Sequence, residues 1–415
     1  MSDFGAIGKY KIVQEWDNSA ANGAYTFAKD DTGKDYFMKM YRFPILPSEA
    51  LKKLPNGMDR YNIQKRKFIA YKNHLTKMNE ALKKVSISGS NLIITHDLFV
   101  YNNKLYKTTD KVEIVKNKNG KSLSIKEASL LSFESVKSIM YTVGSALQLL
   151  HKNKIVHGDI KFDNIMITRS SYSNRIIAKL IDFDSSYFEG EAFSSEETIG
   201  SSEYYSPELY EYIKIPRLVI GEIEDKLGRK LTNEELKDDK IKRKIFVRES
   251  KFKPYLTTKN DVFALGILFY QLAFGLKANE FQYNLEGKFD GPGSAYFVGA
   301  RLKYPDNINK EFLQLIKSML QKDYEKRPTI DEVLTVIKDL KEFSQKEKEY
   351  LKGQTNIVKI AHRDLTEKYN IKYINVKTNE DNKKLYQIVY TDGTKEVCNQ
   401  STQKFIEELI RKLKN

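Results

Sequence analysis

The chain has 415 residues, 40% of them hydrophobic and 12% aromatic, which allows a large core and excludes a disordered chain by composition. Its 70 Lys and Arg against 55 Asp and Glu give a net charge of +15, which favours anionic partners such as nucleotides and acidic proteins. With one cysteine, no signal-peptide pattern and no apolar run of membrane-spanning length, we expect a soluble, cytoplasmic protein without an intrachain disulfide.

The first 110 residues are predicted to form strands around one long helix. Aromatic and β-branched residues indicate five strands, at residues 10–13, 24–29, 35–40, 92–100 and 104–109. Between the third and fourth strands, apolar residues recur at steps of three, four and seven over residues 59–85. That spacing is one apolar face of a helix.

From residue 110 onward the pattern is mainly helical. An apolar stripe predicts a helix over residues 133–151, and the nearly all-apolar segment 261–275 predicts a buried one. Two short strands, at 165–168 and 176–181, lie between them. Helical patterns continue to about residue 344.

The last 65 residues or so differ from this pattern. Strands are predicted at 371–376 and 385–390, and a closing helix at 403–413. We therefore expect a small α+β appendage at the C-terminal end.

The strongest motif is the octapeptide His157 to Asn164, hereafter the HGD loop. Asp159 can accept the proton of an attacking hydroxyl, and Lys161 can neutralise charge on a transferring phosphoryl group. Asn164 is placed to ligate Mg²⁺, and Asp182, at a later strand end, can bridge the metal to the phosphates. A carboxylate, a cation and a carboxamide on one short loop suit phosphoryl transfer, which depends on positioning and charge stabilisation.

These motifs, in this order, resemble the eukaryotic-type serine/threonine protein kinase family over roughly residues 10–345. Three more segments match the pattern: GSSEYYSPE ending at Glu208, DVFALG starting at Asp261, and KRP containing Arg327. In the family, the arginine pairs with the glutamate, and the aspartate holds the backbone of the catalytic loop.

The resemblance implies a two-lobed α+β fold. Its β-rich lobe would span residues 1–109, its helical lobe 110–345, and an appendage 346–415. It also implies a serine/threonine protein kinase that moves the γ-phosphoryl group of Mg-ATP, or of Mn-ATP, to protein hydroxyls, with Asp159 as base and Asn164 and Asp182 as metal ligands.

Several nucleotide-binding residues follow from the same resemblance. Lys39 is expected to hold the α- and β-phosphates, and Glu80, on the long helix, to pair with it. Four more positions are expected to contact the nucleotide: Gly23, Asp110, Val112 and Met166.

Four departures from the family pattern concern the nucleotide, an activation-loop phosphate and the metals. The glycine-rich loop keeps only Gly23, and Phe37 replaces the usual alanine beside the adenine, which predicts weak ATP affinity. Gly158 replaces the arginine that normally binds an activation-loop phosphate, so activity need not depend on such a phosphate. Asp184 replaces the glycine of the metal motif, which adds a carboxylate near the metals.

The segment 213–255 is an insertion relative to the family and is rich in both charges. It is either a docking element for a protein substrate, possibly an acidic one, or a solvated charged excursion. No RNP-like or zinc-finger pattern is present, so nucleic acid is not an expected partner.

Two other functions fit parts of the pattern. A pseudokinase or scaffold fits the degraded glycine-rich loop and Phe37, but not the intact set of Lys39, Asp159 and Asp182. A small-molecule kinase of the aminoglycoside type shares the H-G-D sequence. The spacing of Lys161 and the complete GSSEYYSPE segment favour a protein substrate instead.

Overall fold

The structure is a computed structural model that describes residues 4–19, 23–86, 91–195, 201–275, 308–343, 357–361, 363–378, 384–398 and 400–414. The chain divides into two compact units. The first comprises Met1–Glu113 with Leu180–Asp184, and the second comprises Ile114–Lys179 with Ser185–Asn415. None of the helices in the described ranges has the length and apolar composition of a membrane span.

The first unit is built on one antiparallel sheet. Its strands are β1 (Ala6–Ile7), β2 (Tyr10–Ile12), β3 (Gly23–Lys29), β4 (Asp35–Tyr41), β5 (Thr95–Tyr101) and β6 (Lys104–Asp110). They lie in the order β1-β2-β3-β4-β6-β5. Five of them confirm the predicted strands, although β5 begins three residues later than expected, and β1 was not predicted.

The long helix of this unit, α1 (Gly57–Val85), confirms the predicted helix to within two residues. Its buried side chains include Phe68, Leu75, Met78 and Leu82, which form the expected stripe. Phe68 and Leu75 pack in one hydrophobic cluster with Tyr41 of the sheet.

The second unit is mainly helical. Its helices before the tail are α2 (Ile125–Ser129), α3 (Phe133–Lys152), α4 (Pro207–Ile213), α5 (Ile215–Leu227), α6 (Asp239–Phe252), α7 (Lys259–Phe274), α8 (Lys310–Met319) and α9 (Ile330–Asp339). Four short strands form two antiparallel pairs: β7 (Ile155–Val156) with β10 (Tyr187–Phe188), and β8 (Ile165–Arg169) with β9 (Ile176–Leu180).

Local sequence signals fix the ends of several helices. Ser132 caps α3, and Thr329 with Glu332 forms a capping box at α9. The predicted buried helix is α7, whose residues from Asn260 onward are all buried, and Gly275 ends it in a left-handed conformation.

The insertion forms two helices, α5 and α6. Thr232 and Glu235 form reciprocal capping hydrogen bonds at a three-residue 3₁₀ turn, Glu235–Lys237. On α6, Ile241, Ile245 and Glu249 are buried. Glu249 accepts hydrogen bonds from the backbone N and the hydroxyl of Ser195. The insertion therefore packs on the segment before the GSSEYYSPE motif.

The tail is an α+β structure, as expected for these residues. It contains α10 (Arg363–Tyr369), α11 (Gln400–Lys414) and a sheet of β11 (Ile357–Ile360), β12 (Ile371–Thr378), β13 (Lys384–Tyr390) and β14 (Lys395–Val397) in chain order. Strands β11 and β14 and helix α10 were not predicted. The core of the tail includes Leu130, and the Tyr390 hydroxyl donates to the Leu130 and Leu131 carbonyls.

Candidate active site

The HGD loop is fixed through its backbone. It follows β7, and Asp261, at the start of α7, accepts hydrogen bonds from the His157 N (2.8 Å) and the Gly158 N (3.0 Å). His151 Nε2 lies 3.0 Å from the same carboxylate. Asp261 is only 2% exposed. Because a buried carboxylate needs such partners, these bonds hold both the loop and Asp261.

Gly158 explains one departure from the family pattern. Its φ is +80°, and a Cβ at this position would lie 2.5 Å from the carbonyl oxygen of Ser185. A side chain here would need both a left-handed backbone and a displaced neighbour. An arginine therefore does not fit in this loop conformation.

Four polar side chains converge at the centre of the loop. Lys161 Nζ donates to Asp159 Oδ2 (2.7 Å) and to Ser201 Oγ (2.9 Å). Asn164 Nδ2 donates to the Asp159 carbonyl (2.7 Å) and to Asp159 Oδ2 (2.9 Å), and Ser201 N donates to Asp159 Oδ1 (3.1 Å). The Asp159 side chain is 12% exposed, and the set places one carboxylate beside one ammonium group.

The end of the GSSEYYSPE motif, at Glu208, is held by a buried ion pair. Arg327 donates to the two carboxylate oxygens of Glu208 at 2.5 and 2.8 Å. The Arg327 side chain is fully buried, and its guanidinium lies over the Phe263 ring. This bidentate pair is the one that the resemblance implied.

A second charged group, hereafter the lysine–aspartate cluster, lies within the first unit. It consists of Lys39 on β4, Lys107 on β6, and Asp182 and Asp184 after β9. Lys39 Nζ donates to Asp182 Oδ2 (3.1 Å) and to Asp184 Oδ2 (2.7 Å). Lys107 Nζ donates to Asp182 Oδ1 (2.8 Å) and to Asp184 Oδ1 (2.5 Å). The Tyr41 hydroxyl also donates to Asp184 Oδ1 (2.8 Å).

The charges of this cluster shift the pKa values of its members. Burial by itself lowers the pKa of Lys39, but the Asp184 and Asp182 carboxylates outweigh it, and the pKa lies above its ordinary value. Burial raises the pKa of Asp182, but Lys107 and Lys39 bring it well below its ordinary value. Burial and then Asp184 raise the pKa of Tyr41. At neutral pH the cluster therefore contains a charged Lys39 and an ionised Asp182.

The expected pairing of Glu80 with Lys39 is wrong in this structure. Glu80 is exposed, and among the described residues it makes no ion pair or hydrogen bond. The apolar stripe of α1 gives the reason. At about 100° per residue, Glu80 points well away from the Leu75, Met78 and Leu82 face that packs inward.

The remaining nucleotide candidates stay predictions. Gly23 is a buried residue of β3, where a Cβ would meet the Met40 carbonyl oxygen at 2.3 Å, and residues 20–22 of the glycine-rich segment lie outside the described residues. Asp110 ends β6 and forms an exposed ion pair with Lys34. Val112 and Met166 are half-buried, and Met166 lies between two buried residues of β8.

Lys107 and Tyr41 were not predicted from the sequence as members of this cluster. Lys107 is only 5% exposed and lies directly opposite Lys39 in the β4–β6 register. Two unusual residues in the sequence could have predicted the cluster: a lysine inside a predicted strand, and Asp184 in place of glycine. A buried cation needs a buried anion, so each departure accounts for the other.

Comparisons with known proteins agree with the geometry. The family model of the protein kinase domain matches residues 52–217, from just before α1 to α5. A serine/threonine-protein kinase stk11 homolog of Dictyostelium discoideum is 25% identical over 75% of this chain and 42% of its own length. The serine/threonine-protein kinase PSK1 of Saccharomyces cerevisiae is 26% identical over 50% of this chain and 11% of its own length.

A third relative, a probable serine/threonine-protein kinase of Clostridium acetobutylicum, is 32% identical over 31% of this chain and 19% of its own length. The chain therefore spans less than half the length of each of these relatives. The matches bear on the kinase domain, and the two-unit α+β architecture agrees with them.

Proposed function

We propose a specific reaction for this chain, which belongs to the eukaryotic-type protein kinase family: transfer of the γ-phosphoryl group of ATP to serine or threonine hydroxyls of another protein. The observation that carries the proposal is the set of contacts among Asp159, Lys161, Asn164 and Ser201. Each of these side chains has a partner within the set that fixes its orientation.

Asp159 is the proposed base. Its carboxylate accepts from Lys161, Asn164 and the Ser201 backbone, and these three hydrogen bonds fix its orientation. Lys161 is the proposed cation beside the transferred group, because its ammonium is already held next to that carboxylate. A base and a cation on one rigid loop lower the barrier mainly through position and charge.

Specificity for serine and threonine rests on Ser201. Its hydroxyl accepts from Lys161 and its backbone N donates to Asp159, so the residue that starts the SSEYYSPE run is bonded to both. This is the place where the resemblance expects a hydroxyl side chain in serine/threonine kinases.

Asn164 and Asp182 each carry a side-chain oxygen of the kind that ligates a divalent cation together with phosphate oxygens. Asn164 donates both amide hydrogens to acceptors on Asp159, which leaves its Oδ1 as the ligating atom. Asp182 is the other proposed ligand, since its side chain is 33% exposed against 16% for Asp184. We propose Mg²⁺, a hard cation that prefers oxygen ligands and neutralises phosphate charge when bound.

A protein substrate with an acidic segment is proposed to dock on α6. The outer side of this helix carries Lys240, Arg243, Lys244 and Lys251 around the exposed Val247, and Arg248, which is ion-paired with Glu222, lies beside them. The four cations besides the paired Arg248 attract an acidic chain and repel a basic one.

The activity is tested by incubating the purified chain with Mg²⁺ and [γ-³²P]ATP, with dephosphorylated casein or myelin basic protein as substrate. We expect label on serine and threonine of an added protein, and its loss in Asp159→Asn. Label confined to tyrosine would contradict the specificity. Absence of transfer together with failure to bind nucleotide would favour a pseudokinase or scaffold, and transfer to an aminoglycoside but not to protein would favour the small-molecule kinase.

Docking is tested with the Lys240→Glu/Lys244→Glu double variant. We expect the KM for casein to rise about ten-fold while the KM for ATP is unchanged. The matched control is Lys118→Glu/Lys121→Glu, which makes the same charge change on an exposed loop. An equal rise in KM for both variants would show an effect of net charge alone.

A further inference from the structure

Helix α1 presents a neutral side chain, that of Asn79, to a cavity that Asp184 also lines. Asn79 lines a small cavity together with Tyr41, Phe183 and Asp184. Its Oδ1 is buried and, among the described residues, has no hydrogen-bond partner. Glu80, the next residue, is exposed. In this structure the helix therefore supplies no anion to the lysine.

Two lysines lie side by side on adjacent strands of the sheet. Lys39 and Lys107 are direct partners in the antiparallel register of β4 and β6. Their side chains are only 13% and 6% exposed. Like charges directly opposite each other destabilise a sheet, and burial increases the cost, so the pair requires two anions nearby.

Asp184 meets this requirement most completely. One of its oxygens accepts from Lys39, and the other accepts from Lys107 and from the Tyr41 hydroxyl. Asp182 contacts the same two lysines but is twice as exposed, so part of its carboxylate is open to other ligands. Asp184 is thus the more enclosed of the two carboxylates, and Asp182 is the more exposed one.

We propose that Asp184 is the residue that positions Lys39 for the nucleotide phosphates, in place of a glutamate on α1, and that Lys107 balances its charge. The inference rests on the proposed function only in taking Lys39 as a phosphate contact. The replacement of glycine by Asp184 and the presence of Lys107 are then one coupled change. Neither is expected to work without the other.

The first test measures nucleotide binding without turnover. ADP is titrated in EDTA against the wild-type chain, Asp184→Asn and Glu80→Gln, with Lys29→Met as a control for loss of an exposed strand lysine. We expect Asp184→Asn to weaken ADP binding about ten-fold or more, as for a lost hydrogen bond between charged groups. Glu80→Gln and Lys29→Met should each stay within about two-fold of the wild type.

The outcomes separate the inference from the proposed function. Weaker ADP binding in Glu80→Gln with unchanged binding in Asp184→Asn would overturn the inference, as would a wild-type chain that binds no ADP. In the kinetic arm, Asp184→Asn should raise the KM for ATP more than it lowers kcat. A chain that binds ADP through this cluster but transfers no phosphate would contradict the proposed function and leave the inference standing.

The second test concerns the charge balance and does not need nucleotide. Lys107→Met should lower Tm by about 4 °C or more, because it leaves two carboxylates facing one lysine. The double variant Lys107→Met/Asp184→Asn should recover much of that loss, since one cation and one anion remain. Additive losses in the double variant would overturn the coupling between the two residues.

Discussion

The HGD loop and the lysine–aspartate cluster differ in how their residues are distributed along the chain. Asp159, Lys161 and Asn164 lie within six consecutive residues, and their mutual hydrogen bonds follow the family spacing. Lys39 and Lys107 come from separate strands and meet the aspartates only when the sheet has formed. The polar contacts of the loop are therefore local in sequence, whereas the environment of Lys39 depends on tertiary structure.

The largest expected effect is on the loop. Asp159→Asn should lower kcat by about 10²–10⁴-fold because it removes the proposed base and keeps the shape of the side chain. The KM for ATP should hardly change. Steady-state phosphorylation assays measure both, with Asp163→Asn on the same loop as the exposed matched control. Equal loss in the two variants would remove the special role of Asp159.

The buried pair of Arg327 and Glu208 is expected to affect the stability of the fold. Arg327→Ala should lower the free energy of unfolding by about 3–5 kcal/mol, because it leaves Glu208 buried without its cation. Denaturant unfolding monitored by circular dichroism measures this change. Arg363→Ala, at an exposed ion pair of the tail, is the control and should leave the midpoint unchanged. A similar small shift for both would show that the buried pair contributes little.

Gly158 tests whether the loop needs its left-handed backbone. Gly158→Ala should cost about 2–4 kcal/mol, from the positive φ and from the clash with the Ser185 carbonyl. Gly228→Ala has a similar φ, +68°, but an open environment, so it isolates the conformational part. Equal costs for the two variants would show that the close approach to Ser185 does not matter.

Tyr41 tests how much its hydrogen bond to Asp184 contributes to the stability of the lysine–aspartate cluster. Tyr41→Phe should cost about 1.5 kcal/mol of unfolding free energy, because Asp184 loses its neutral donor. Tyr71→Phe is the control: its ring packs edge-on against Tyr41, and among the described residues its hydroxyl makes no hydrogen bond. A larger loss in the control would mean that packing, not the hydrogen bond, accounts for the effect.

The smallest expected effect concerns the uncharged core of the tail. Burial raises the pKa of Cys398 well above its ordinary value, so the thiolate is disfavoured in the folded chain. Protons are then held more tightly in the folded state, and stability should fall as pH rises above the unfolded pKa of about 8.5. Comparing unfolding of the wild type and Cys398→Ala between pH 7 and 10 measures this. A stability gap that does not change with pH would contradict it.

Much of the fold follows from periodicity. The strand patterns of the first 110 residues, the stripe of α1 and the apolar run of α7 were all sufficient to predict their elements. Strands β1 and β14 were missed because segments of two and three residues carry too little alternation. Helix α10 was missed because only Leu365 of its seven residues is buried.

The site was predictable where spacing alone defines it. The error at Glu80 arose because the expected partner of Lys39 was assigned without regard to the face of the helix on which it lies. The stripe at Leu75, Met78 and Leu82 already places residue 80 on the outward side of α1. The position of Lys107 could not be read in the same way. It depends on the register between β4 and β6, which two separate strand patterns do not specify.

The most direct test of this account is a crystal structure of the chain with Mg²⁺ and a non-hydrolysable ATP analogue. We expect the Lys39 ammonium to contact a phosphate oxygen while staying within about 4 Å of the Asp184 carboxylate, the usual range of an ion pair. Lys107 should remain paired with Asp184, and Glu80 should remain exposed to solvent. A structure in which Lys39 pairs with Glu80 and leaves Asp184 would contradict the account.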